Sequence, residues 1–166
     1  MSLSEHQFYE ETHPIDVVEH LAAGHDWEFD RIAEDQIAMA IEGQWRTYSL
    51  TLAWSDPEET LRLVCSFEMD PPQNRMSELY ELINKMNDEC WTGSFTYWPE
   101  HKLMLYRYGL LLTGGLFAGS QQIDKLLNIA VSNCERFYPA IQMNVWGEQT
   151  PTKAMQVAIA EGYGRA

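Results

Sequence analysis

The chain has 166 residues, 45% hydrophobic and 12% aromatic, enough for one sizeable core, so a single domain spanning 1–166 is expected. Lys and Arg number 11 against 25 Asp and Glu, a formal net charge of -14, which repels polyanions and makes nucleic acid and anionic membrane poor partners. Three cysteines, Cys65, Cys90 and Cys134, lack C-x-x-C spacing, which argues against a disulfide framework or zinc knuckle and points to a reducing cytoplasm.

Residues 1–11 carry no periodicity and read as a loose acidic lead-in without the apolar core of a signal peptide. Thr12 or His13 then caps a helix opened by Pro14, with Ile15, Val18, Leu21 and Ala22 on one stripe before Gly24. From Trp27 the period changes to alternation: Trp27 and Phe29 against Glu28 and Asp30, then Ile37, Met39 and Ile41. A turn at Glu42-Gly43-Gln44 leads to a strand with Arg46, Tyr48, Leu50, Leu52 and Trp54 on one face. After Ser55-Asp56-Pro57-Glu58, residues Leu61, Leu63, Cys65, Phe67 and Met69 alternate in the next strand. The pattern describes an antiparallel meander with one apolar face.

Asp70 is placed to cap a second helix, in which Met76, Leu79, Ile83, Met86 and Cys90 recur at helical spacing and serve as core. The stretch from Cys90 to Tyr138 is the structural centre: a hairpin, a Gly-rich TGGLFAG connection and a long amphipathic helix. In the second hairpin strand, Leu103, Leu105 and Leu111 share one face, expected to meet the helices. Met104, Tyr106, Tyr108 and Leu110 share the other. That second face requires cover from the folded-back C-terminal segment, a twin subunit or a partner protein, and Met104, Tyr106 and Tyr108 are the candidate interface residues. The long helix is expected to start with Ser120 as cap and to bend at Pro139 and continue to about Val145, because Ile141 and Val145 extend its stripe. A short Ala-rich helix follows from Pro151 to about Gly162.

No catalytic constellation emerges. None of the five histidines forms H-x-x-x-H or H-E-x-x-H, and His13 and His20, seven apart near Asp16 and Glu19, make at most a solvent-facing cluster, so no metal or cofactor is expected. Gly114-Gly115 lacks the residues of a phosphate or dinucleotide loop, and no serine or cysteine has an activating context. The six tryptophans are read mainly as packing residues.

Cys90-Trp91-Thr92-Gly93-Ser94-Phe95, Trp98-Pro99, Tyr106-Arg107, Glu135-Arg136-Phe137-Tyr138-Pro139-Ala140 and Val145-Trp146-Gly147, with Pro14-Ile15-Asp16 and Trp27-Glu28-Phe29 before them, resemble the YbjN family of bacterial sensory transduction regulators over nearly the whole chain. The resemblance implies an α+β fold, with an antiparallel sheet of about five or six strands packed against helices, similar to that of type III secretion chaperones. It brings no catalytic residues. The combined expectation is a non-enzymatic, cytoplasmic, protein-binding regulatory or chaperone-like protein, with a homodimer as its first form. The alternative is a small-molecule sensor with a pocket between the sheet and the long helix.

Overall fold

The computed structural model describes residues 13–164, with side chains described to Ala160; the expected loose lead-in over 1–11 lies outside the described residues. The elements are α1 (Pro14–Gly24), β1 (Glu28–Ala33), β2 (Gln36–Glu42), β3 (Thr47–Ser55), β4 (Thr60–Glu68), a 3-10 turn (Gln73–Arg75), α2 (Met76–Asp88), β5 (Ser94–Trp98), β6 (Leu103–Leu111), α3 (Ser120–Val145) and α4 (Pro151–Gly164). The α+β expectation holds: six strands form one sheet in the order β1-β2-β3-β4-β6-β5, with every neighbouring pair antiparallel. The sequence alternation sets which face is buried. Ile37, Met39 and Ile41 of β2, Tyr48, Leu50 and Leu52 of β3, and Leu61, Leu63, Cys65 and Phe67 of β4 all point into one continuous core. Helix α1 packs on β1 to β3, α2 on β5, and α3 on β4 and β6, while α4 lies against α2 and α3.

Of the expected helix caps, that of α1 is found and those of α2 and α3 are not. His13 caps α1, its Nδ1 accepting from the Ile15 amide at 3.2 Å. Asp70 does not cap α2, which begins at Met76 after the 3-10 turn; Asp70 instead meets Lys102 Nζ at 3.2 Å. Gly119 rather than Ser120 is the N-cap of α3, with no side-chain cap bond. Helix α3 does run through Pro139 to Val145, because Phe137, Ala140, Ile141 and Val145 bury the continuing stripe. The tryptophans are mostly not core: Trp27 and Trp54 are half-buried, while Trp45, Trp91, Trp98 and Trp146 are exposed.

Two glycines are dictated by close approach. At Gly43 a Cβ would lie 2.4 Å from Glu135 Oε1, and at Gly93 (φ +80°) it would lie 2.4 Å from the Tyr106 ring. Glu135, buried on α3, holds the β2–β3 turn: it accepts from Tyr48 Oη at 2.6 Å, Gln44 N at 2.9 Å and Trp45 N at 3.3 Å. Burial and this bond to Glu135 both push the Tyr48 phenol upward and keep its proton in place.

Candidate functional site

The side of β6 expected to need cover, from the folded-back C-terminal segment, a twin subunit or a partner, is covered by the chain itself. Met104 and Tyr106 are 0% and 1% exposed, with the Tyr106 ring 5.3 Å from Phe95 and the Phe95 ring 5.6 Å from Phe137 of α3. The two faces are thus exchanged relative to the sequence reading: Met104, Tyr106, Tyr108 and Leu110 turn to the helices, while Leu103, Leu105 and Leu111 turn to the other side. The reason is register. Tyr106 lies opposite Cys65 and Met104 opposite Phe67, so they share the core side of β4. Of the three candidate interface residues, Met104 and Tyr106 are unavailable in this arrangement, and only Tyr108 is partly exposed.

The opening lies beside the second half of the same strand. Strand β4 pairs with β6 along all of Leu103–Leu111, whereas the five-residue β5 pairs only from Ser94↔Arg107 to Trp98↔Leu103. At Gly93 the chain turns out of the sheet, and the Tyr106 hydroxyl donates to the Thr92 carbonyl. The strand lane beside Tyr108–Leu111 is left without a neighbour among the described residues. Lys102 O and Leu112 N both bond toward the β4 side, so in an antiparallel ladder Gly109 and Leu111 turn their amides and carbonyls toward that lane.

This edge differs in kind from the opposite one. Strand β1 carries Glu28, Asp30 and Arg31 and a register shift between Arg31 and Ala33, and Arg31 pairs with Asp16 at 2.9 Å and Glu19 at 3.1 Å. Charges and bulges are what discourage edge pairing. The free half of β6 offers a glycine and Leu111, the latter 67% exposed.

A concavity flanks the lane on each face. On the open face of the sheet, Glu58, Thr60, Arg62, Ser94, Arg107 and Gly109 line a groove of about 500 Å³. On the helix face, Thr92, Tyr108, Leu110, Leu126 and Ile129 line a cleft of about 160 Å³ between β6 and α3. The cleft occupies the place expected for a ligand pocket, but small-molecule sites run to roughly 300–1,000 Å³, so its size suits one apolar side chain.

The remaining candidates resolve into structure. His13 uses Nδ1 for the α1 cap, and among the described residues no group of three or more His, Cys, Asp or Glu is placed to hold a metal. Cys65 and Cys134 are buried with sulfurs 3.7 Å apart; the bond to Cys65 and then burial raise the Cys134 thiol well above its usual range. Burial pushes Cys90 up to about 11 from an ordinary 9.0. At pH 8 this leaves roughly a hundredfold less thiolate than in a free cysteine. A thiolate of higher pKa is also the stronger nucleophile, which offsets part of this deficit, so Cys90 is expected to react with a disulfide reagent about tenfold more slowly in the native chain than in urea. A fast native reaction would show that the site opens readily. Among the described residues, no helix is long and apolar enough to cross a membrane.

No curated protein sequence matches the chain. A crystal structure described as "YbjN, a putative transcription regulator from E. coli" has a similar fold, with a TM-score of 0.52 over 90% of this chain and 93% of that one, at 8% identity. The sequence model of the YbjN family, described as "Putative bacterial sensory transduction regulator", matches residues 14–143. That match takes in every strand and most of α3, the elements that build both the core and the free edge, and the chain belongs to the YbjN family.

Proposed function

We propose that this chain is a regulatory protein that works by binding a partner polypeptide rather than by catalysis, and that the partner adds an extended segment to the free half of β6. The observation that carries the reading is the lane beside Tyr108–Leu111, where Gly109 and Leu111 present main-chain groups unpaired among the described residues, without the charges and bulge that protect β1. Main-chain bonding supplies affinity in strand addition, and flanking pockets supply selectivity. The partner contact therefore moves from Met104 and Tyr106 to the edge formed by Gly109 and Leu111, with Tyr108 on its rim.

Native-state hydrogen exchange tests the edge directly. In the free chain the Gly109 and Leu111 amides should exchange quickly and those of Tyr108 and Leu110 slowly. Leu111→Pro removes a donor aimed into the lane, at a position where an edge strand tolerates proline. It should leave the fold intact and abolish capture of whatever protein the wild type retains from its native host, with partner addition slowing Gly109 exchange in the wild type. Slow exchange at Gly109 and Leu111 in the isolated monomer, or undiminished capture by Leu111→Pro, contradicts the reading.

A further inference from the structure

The geometry points to the kind of segment that this edge accepts: an extended stretch with an acidic residue between two apolar ones, the acidic side chain lying on Arg107 and Arg62. The inference rests on strand addition at β6 and adds the chemistry of the segment.

Side chains on an added strand alternate between the two faces of the sheet. The residue opposite Gly109 turns to the open face, and its two neighbours, opposite Tyr108 and Leu110, turn to the helix face. On the open face Gly109 contributes no side chain, so nothing stands between the incoming residue and Arg62, which lies directly opposite Gly109 on β4. Arg107, two residues before Gly109 on the same face, flanks the position diagonally, with Ser94 across from it on β5. Arg107 has no carboxylate partner among the described residues. Arg62 is held by Glu58 at 2.6 Å, but both side chains are more than half exposed, and such a pair exchanges readily for another carboxylate. Two arginines at one groove stand out in a chain with 11 basic and 25 acidic residues. On the helix face Leu110, Leu126, Ile129 and the Tyr108 ring, together with the polar Gln122 and Lys125, line the 160 Å³ cleft, whose mainly apolar surface takes an apolar side chain. Charge complementarity on one face and apolar lining on the other select a separate protein's segment of alternating acidic and apolar residues.

The test uses isotope-labelled full-length protein and three blocked peptides, Thr-Thr-Val-Glu-Val-Thr-Thr and its variants with Gln or Lys at the centre, titrated while the Gly109 and Leu111 amide resonances are followed. The Glu-centred peptide should shift both amides and bind about fivefold more tightly than the Gln-centred one, the scale of one exposed ion pair. Arg107→Gln, at an exposed position, should lower that ratio, and adding Arg62→Gln should bring it to about one. Equal affinities, or a preference for Lys, would overturn the acidic requirement and leave strand addition standing. No shift at Gly109 or Leu111 with any peptide at millimolar concentration would overturn strand addition itself. If the two amides move with protein concentration alone, the occupant is a second copy of this chain and the inference fails.

Discussion

Glu135→Ala is expected to destabilise the fold by about 3–5 kcal/mol, seen as a lower urea midpoint with an unchanged slope. The carboxylate sits where three donors converge: the Tyr48 hydroxyl, itself on a side chain with no solvent exposure, and the amides of Gln44 and Trp45. Alanine leaves all three without their acceptor, and each buried orphan costs about 1–3 kcal/mol, partly recovered where water reaches the turn. Glu135→Gln keeps an acceptor and the shape, so it should cost less than half as much. The Gly43 backbone packs directly on Glu135 Oε1, so Gly43→Ala should behave like a milder form of the same lesion. A linked pH effect follows. The Tyr48 phenol is raised above its ordinary 10.0 by burial and by Glu135, so its contribution to stability is complete below pH 10 and is lost as pH rises above that value. Wild-type stability should therefore fall above pH 10. A Glu135→Ala unfolding free energy within about 1 kcal/mol of wild type would mean that the turn is not held by this carboxylate.

Tyr106→Ala should cost a similar amount, about 3–5 kcal/mol, because it empties a ring-sized space in the core. The ring is 1% exposed, packs edge-on against Phe95, and covers Gly93, where any side chain would collide with it. Its hydroxyl donates to the Thr92 carbonyl, tying down the turn at which the chain leaves the lane beside β6. Tyr106→Phe isolates that last bond and should cost about 1 kcal/mol. The consequence for function is practical: loss of partner binding in Tyr106→Ala would report a damaged core and a loosened turn, whereas Arg107→Gln and Leu111→Pro act on exposed positions. If Tyr106→Ala kept full stability, the ring would have to be on a surface rather than in the core.

Much of the architecture was legible because burial imposes periodicity. The alternation in β2, β3 and β4 names their core residues, and the stripe on α3 carries the helix past Pro139, since Ile141 and Val145 are worth more buried than the one bond that proline removes. The pattern fails at β6, where both faces are apolar and the side that meets the helices is set by register against β4. It fails at the caps too, because Asp70 and Ser120 have the right chemistry in the wrong place: the chain spends a 3-10 turn before α2, and Gly119 already occupies the cap of α3. Signals for the candidate site were present but unread. Gly109 interrupts an apolar strand, and the first hairpin strand is shorter than the second.

The sequence by itself determined the acidic charge, the α+β class, most core residues and the family resemblance, all of which follow from composition, local period and motif. Only the tertiary structure decided that Met104 and Tyr106 lie inside, that the β2–β3 turn hangs on a glutamate about ninety residues away, and that half of β6 lacks a neighbour among the described residues. Those outcomes depend on pairing register and on contacts between distant segments, which no local pattern encodes.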